Sequence, residues 1–405
     1  MKKFNKFLSV AVASAMVMAM VGCGNTDNGS AATGTNAATE SAAASDSAAS
    51  GSVFKIGGIG PTTGGAAVYG LAVQHGAETA VEEINAAGGI NGYQVEFKFQ
   101  DDEADAEKSV NAYNALKDWG AQIIDGSTTS GACIAVTDKT KEDNMFQITP
   151  SGSAVECVQY DNNFRVCFSN PNQGLASAQY IGENGLAEKI AVIYDSSDVY
   201  SSGIYEKFVK EAENQPFEVV AAEAFTADNK TDFSVQLQKA KDAGADMVFL
   251  PIYYQESALI LTQAAAMGYA PKWFSCDGMD GILGGVDNFD VSLTEGVMLL
   301  TPFAADATDD LTQSFVTKYK EKYGETPNQF AADSYDAIYV IKAAIEKSGV
   351  TPDMSVSDIC DGMKAAMTEI TVDGLTGNGM TWTADGEANK APKAVVIENG
   401  AYKAM

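Results

Sequence analysis

Histidine is almost missing from this chain of 405 residues, and His75 is the only one. A histidine-based metal site needs several such ligands. A Ser-His-Asp arrangement needs its histidine beside a serine, whereas the flanking pattern puts His75 in mid-helix. The six cysteines include no C-x-x-C pair. There is no G-x-S-x-G elbow, no H-E-x-x-H and no phosphate-cradling G-x-x-x-x-G-K-[ST]. Basic residues are also scarce, with 26 Lys and Arg against 54 Asp and Glu and a net charge of −28. So acidic a body is repelled by nucleic acid and by anionic headgroups. These absences leave an expectation of no metal, no cofactor, no nucleic-acid partner and no enzyme.

What is present begins with an address. Lys2, Lys3 and Lys6 precede an apolar run over 7–21 that closes on Val21-Gly22-Cys23. The run is too short and too rich in small residues for a membrane span, so 1–22 reads as an export signal. A small residue directly before cysteine resembles a bacterial lipobox, in which Cys23 would be lipidated; Met20 stands where that pattern prefers leucine. An ordinary secretory signal is the alternative. Loss of the three leader lysines takes the charge from −28 to −31. Residues 25–52 hold nothing apolar larger than alanine, so 23–52 reads as the lipidated cysteine and a flexible tether. Such an anchor would hold an exported body at the outer face of a membrane. Five cysteines remain after Cys23, an odd number for an exported protein. Cys157 and Cys167 flank 158–166 and could staple that loop, while Cys133, Cys276 and Cys360 are expected to be buried or free.

The body from Val53 onward is too long for one typical domain, and strand and helix patterns alternate along it. Strands are expected over 54–60, 93–100, 122–125 and 145–149. Helices are expected over 71–84, 105–119 and 131–144. This order implies a parallel sheet with right-handed crossovers. The rhythm restarts after Asn170-Pro171-Asn172-Gln173-Gly174. Helices over 176–185, 205–213, 233–243 and 258–267 alternate with strands over 189–194, 217–225, 246–252, 272–276 and 296–300. Three helices follow, over 311–323, 328–348 and 356–367, which suggests that the chain returns to cover the first lobe. Final strands are expected over 379–382 and 394–398. The fold class is α/β, with two doubly wound parallel-sheet lobes joined by a multi-crossover hinge. Lobe I would comprise 53–171 plus 303–390, and lobe II 172–302 plus 391–405. Ligands of such clamps lie in the cleft between the lobes.

The most informative stretch runs over 122–153. Two neighbouring strands each empty, at their carboxyl ends, into a small polar loop: Gly126-Ser127-Thr128-Thr129-Ser130 and Pro150-Ser151-Gly152-Ser153. The first loop feeds a helix N-terminus, whose unpaired N–H groups and positive dipole end suit an anion. Ligands of open α/β sheets sit outside the strands' carboxyl ends. The stretch therefore reads as a cradle for a carboxylate, although Ser130 can equally cap a helix and Ser153 make a turn. The glycine-rich run over 57–65 is not a dinucleotide fingerprint, because Pro61 interrupts it and Thr63 stands where the third glycine belongs.

Residues 53–405 resemble the branched-chain amino acid binding proteins, the exported receptors of ATP-driven importers, which have the type I periplasmic-binding-protein fold. The resemblance rests on Gly60-Pro61-Thr62-Thr63-Gly64 with Tyr69-Gly70, and on Val81-Glu82-Glu83-Ile84-Asn85-Ala86-Ala87-Gly88-Gly89-Ile90-Asn91-Gly92. Asp101-Asp102 and Ile148-Thr149-Pro150 belong to the same pattern. It implies that Ser130 and Ser153, in the loops that also hold Thr128, take the ligand's α-carboxylate. The Ser151 carbonyl and Asp277 would take its α-ammonium, the latter by a charge-assisted hydrogen bond. Tyr200 would close over the ligand. Tyr69, Phe330 and Tyr253 would form a side-chain pocket that favours an uncharged side chain, as in Leu, Ile or Val. ABC permease subunits are the implied partners, and a monomer is expected. The alternatives keep the fold and take an amide, urea or an aromatic carboxylate, or make the chain a ligand-sensing module.

Overall fold

The computed structural model describes residues 51–405, so the export signal, Cys23 and nearly all of the tether lie outside the described residues. The first sheet runs in the order β2-β1-β3-β4-β5 and is parallel throughout. Its strands are β1 (Phe54–Gly60), β2 (Val95–Asp101), β3 (Ile123–Gly126), β4 (Phe146–Thr149) and β5 (Asn163–Arg165). The second sheet runs β12-β11-β10-β9-β8-β6-β7. It comprises β6 (Lys189–Asp195), β7 (Glu218–Phe225), β8 (Met247–Leu250), β9 (Lys272–Ser275), β10 (Met298–Thr301), β11 (Lys393–Glu398) and β12 (Ala401–Ala404). It is parallel except at β11 and β12, which pair antiparallel at one edge. Strands β3, β4, β8 and β10 are buried at every residue, as sheets with helices on both faces require.

The helices are α1 (Ala67–Ala86), α2 (Ala106–Trp119), α3 (Ser130–Glu142), α4 (Asn170–Glu183), α5 (Val199–Ala212), α6 (Ser234–Asp242), α7 (Tyr254–Ala266), α8 (Asp310–Tyr323), α9 (Gln329–Ser348) and α10 (Val356–Met367). Local chemistry sets several of their ends. Asp105 caps α2 by accepting from the N–H groups of Glu107 and Lys108, and Asn328 caps α9 by accepting from Ala331. The helical tail does return to the first sheet: α9 lies along α1, against α10, and touches β3 and β4. The α1–α9 approach needs a residue without a side chain, since a Cβ on Gly76 would sit 2.0 Å from the Ala331 carbonyl oxygen.

Four expectations are corrected. The segment 379–382 is not a strand and makes only isolated bridges, Val372 to Met380 and Trp382 to Ala388. Side chains hold it instead, with the Trp382 indole donating to the Arg165 carbonyl at 2.7 Å. The region 158–166 contains β5, and the short β12 is an addition. The helix expected over 176–185 starts earlier, so that 170–174 opens α4, where Pro171 has no N–H that the helix needs. Cys157 and Cys167 are both free and buried. The Cys157 thiol lies under α3, 3.7 Å from the Ser130 carbonyl, and pairing of β5 to β4 orders the segment without a staple. Cys133, Cys276 and Cys360 are buried and free, as expected.

Gly76→Ala should lower the unfolding free energy by about 1–3 kcal/mol, the usual cost of overpacking. Urea titration would read this as a lower midpoint at unchanged slope.

Candidate ligand-binding site

The carboxyl ends of β3 and β4 place two polar loops side by side, at the start of α3. The Ser130 hydroxyl accepts from the backbone N–H groups of Ser153 (3.2 Å) and Ala154 (3.1 Å), and so joins the loops. Its own hydrogen stays available to an acceptor. Ser151 donates across the same gap to the Thr128 carbonyl at 2.6 Å. Thr149 donates to the Ser127 carbonyl at 2.7 Å. The first-turn N–H groups of α3 have no helical partner, so this end of the first lobe is suited to negative charge.

The second lobe answers with a carboxylate. Asp277 follows β9 and is 5 % exposed. One oxygen accepts from the Tyr200 hydroxyl at 2.6 Å and the other from the Gln173 amide at 2.8 Å. Burial pushes its carboxyl up to about 7, against the lowering effect of the Tyr200 and Gln173 hydrogen bonds. Tyr200 sits in the first turn of α5, earlier than the expected helix start, because Asp198 caps the helix there. The Tyr200 ring stacks on Tyr253 at 5.0 Å between centroids. From the first lobe, Tyr69 on α1 lies 4.4 Å from the Phe330 ring and 5.5 Å from Tyr253. The Tyr69 hydroxyl donates to the Gly278 carbonyl and accepts from the Tyr254 N–H at 3.1 Å. One phenol thus latches α1 to the exits of two strands in the other sheet. Burial holds the Tyr69, Tyr200 and Tyr253 hydroxyls well above the usual phenol range, so they act as hydrogen-bond donors and acceptors and not as anions.

These groups surround a cavity of about 10 Å³. Its wall brings together Tyr69, Thr128, Ser130, Ser151, Tyr200, Tyr253, Asp277 and Phe330 from the sequence reading, and adds Thr129 and Gly278. Ser153 is not in the wall. It lies behind Ser130, to which its N–H donates, and its own hydroxyl has no hydrogen-bond partner. The volume is at the threshold for one water, about 10–15 Å³. A ligand with an aliphatic side chain therefore requires the aromatic rings or the two lobes to move apart.

Three supporting residues escaped the sequence reading. Arg165, the only arginine in the chain, is fully buried at the end of β5. It donates to the carbonyls of Gly152 (3.2 Å), Ala154 (2.8 Å) and Val155 (3.4 Å), holding the turn whose N–H groups meet Ser130. Glu387 lies 3.4 Å from the same guanidinium. Gln173 and Gln329 hold Asp277, the latter by donating to its carbonyl at 2.9 Å. Arg165 had a signal in being unique. The two glutamines had none, because their roles come from helices that only the tertiary fold brings to Asp277.

The periplasmic binding protein profile matches residues 53–401. A Leu/Ile/Val-binding protein homolog from Brucella melitensis is 31 % identical over 300 residues, 74 % of this chain and 80 % of its own length. A leucine-, isoleucine-, valine-, threonine- and alanine-binding protein from Pseudomonas aeruginosa is 30 % identical over 302 residues, covering 73 % and 78 %. Among solved structures, the branched-chain amino acid transporter substrate binding protein LivJ from Streptococcus pneumoniae, in complex with isoleucine, is 28 % identical. It superimposes with a TM-score of 0.78 over 87 % of this chain and 98 % of its own.

Arg165→Lys should destabilise the fold by about 2–4 kcal/mol, since an ammonium cannot span the three carbonyls and leaves buried acceptors unpaired. Chemical denaturation of the variant would measure this, and a loss below 0.5 kcal/mol, roughly the level of a surface substitution, would remove Arg165 from the bracing role.

Proposed function

We propose that this chain, which belongs to the periplasmic binding protein family, is the extracytoplasmic receptor of an ABC importer for an amino acid with an uncharged side chain, of the Leu/Ile/Val kind. The observation that carries this reading is the pairing of opposite chemistries across the cleft. An anion cradle with the Ser130 hydroxyl stands on one lobe, and the buried Asp277 carboxylate stands on the other. A zwitterion satisfies both at once, and an anion alone or a neutral amide does not. The relatives' names support the ligand class. Tyr69, Phe330 and Tyr253 supply a wall without a charge, which disfavours acidic and basic side chains.

In this reading Ser130 donates to the ligand carboxylate, which also receives first-turn N–H groups of α3. Asp277 and the Ser151 carbonyl hold the ammonium, and Tyr200, hydrogen-bonded to Asp277, keeps that carboxylate oriented. Closure of the lobes over the ligand brings the two halves together and leaves the aromatic rings around the side chain. Anchoring through lipidated Cys23, action as a monomer and hand-over to permease subunits belong to the same proposal. The chain then performs binding and delivery, with no chemical step.

Calorimetric titration of ligand-stripped protein against the standard amino acids tests the assignment. One-to-one binding of Leu, Ile or Val is expected, and silence across all twenty would sink it. Binding of an amide or aromatic carboxylate that survives Asp277→Ala would move the reading to those ligands.

The pH dependence follows from Asp277. Below about 7 its carboxyl is protonated and must release that proton before pairing with an ammonium. Affinity should therefore fall about tenfold per pH unit below 7 and level off above it. The released proton is measurable from binding heats in buffers of different ionisation enthalpy. Asp277→Asn should bind at least about 100-fold more weakly at pH 8, as for a buried charge pair that loses one partner, and should lose this slope.

A further inference from the structure

A second cavity, of about 630 Å³, shares no wall residue with the first. That volume lies in the range of small-molecule sites, about 300–1,000 Å³. The same three segments build both cavities. The start of α1 turns Tyr69 to the cleft and Val68, Leu71 and His75 to the second cavity. The turn after β9 gives Asp277 to the one and Asp280 to the other, and the start of α9 gives Phe330 and Asn328 in the same way.

The charges around this second cavity are mostly accounted for. His75 stacks on Tyr323 at 3.7 Å and lies 3.4 Å from Glu325, and Lys403 lies 3.9 Å from Asp306. Lys320 is exposed to solvent. Asp280 is different. It is 4 % exposed, one oxygen accepts from the Gln329 N–H at 2.9 Å, and the other has no hydrogen-bond partner. The Tyr402 hydroxyl beside it accepts from the Gly281 N–H at 3.3 Å and keeps its own hydrogen to turn toward the Asp280 carboxylate, a neutral donor that orients the acid without balancing its charge. Burial also holds the Asp280 carboxyl above the ordinary range, against the lowering effect of the Gln329, Tyr402 and Gly281 hydrogen bonds, so a cation beside it would balance a buried charge that has only neutral donors. Val68, Leu71, Leu283 and Phe303 make much of the remaining surface apolar. The net charge of −28 enriches cations around the protein as a whole.

We propose that this cavity is a second small-molecule site, for an amphipathic amine whose ammonium pairs with Asp280 and whose apolar body lies on Val68, Leu71, Leu283 and Phe303. Because α1 and the turn after β9 come from opposite lobes, its occupant bridges them and biases the closure that the cleft uses. An amine here would be a modulator distinct from the cargo, and coupling between the two sites is reciprocal.

The test titrates the full chain with 2-phenylethylamine, followed by saturation-transfer NMR and calorimetry, with 3-phenylpropionate as the anionic counterpart of similar shape. The expected result is saturable amine binding with a Kd below about 1 mM and at least tenfold weaker binding of the acid. Asp280→Asn and the cavity-filling Ala305→Phe should each weaken amine binding at least tenfold, while Asp277→Asn in the cleft leaves it unchanged. If Asp280→Asn does not fold, Ala305→Phe decides. No saturable binding up to about 10 mM, roughly the weak limit for a specific small-molecule site, would overturn the proposal. So would binding kept in both cavity variants, or binding lost in Asp277→Asn, which would place the amine in the cleft.

Discussion

The cradle depends on one buried guanidinium. Arg165 reaches from the end of β5 under the turn that follows β4 and binds three of its carbonyls, which turns the neighbouring N–H groups of Ser153 and Ala154 toward Ser130. Taking an arginine out of water costs several kcal/mol unless its donors are met. Here backbone oxygens and Glu387 meet its two terminal nitrogens, leaving Nε without a partner, and the indole of Trp382 locks the Arg165 carbonyl from the other side. The turn can then offer hydroxyls and N–H groups to an anion without placing a positive side chain in the cleft.

The opposite wall follows the same logic with the sign reversed. Asp277 is held by two neutral donors, Tyr200 and Gln173, and by no cation. Neutral donors orient a buried carboxylate but do not compensate its charge, which is why its carboxyl rises to about 7. A site left in this condition gains most from a ligand that brings the missing charge. The protein has met other buried acids internally: Asp333 takes Lys390, and Asp336 takes the N–H groups of Leu375 and Thr376. Among the described residues, Asp277 and Asp280, which face cavities, have no cation beside them, and neither do the fully buried Asp102 and Asp125.

In the proposed reading, closure involves hydrogen bonds between the lobes. The Tyr69 hydroxyl and the Gln329 amide connect the first lobe and its returning helix to the strand exits of the second. These hydrogen bonds are worth individually about 1 kcal/mol, a scale on which ligand binding can shift the balance between open and closed forms. In the proposed reading these polar latches are what closure makes and opening breaks, while each sheet has its own fully buried strands.

Much of this was legible along the chain. Alternating strand and helix periods determined a doubly wound α/β body, because buried parallel strands and amphipathic helices must carry those periods wherever they pack. Glycine, serine and threonine at strand ends marked the loops of the cradle, and resemblance in 60–64 and 81–92 pointed to Tyr69, Ser130 and Asp277. The strand at 163–165, the side-chain-held segment around Trp382 and the free state of Cys157 and Cys167 were decided only by tertiary structure, since each depends on a partner distant in sequence. The same holds for Arg165, Gln173 and Gln329, whose types say nothing about which carbonyl or carboxylate they will meet. Local periodicity is a property of the chain; the satisfaction of buried polar groups is a property of the fold.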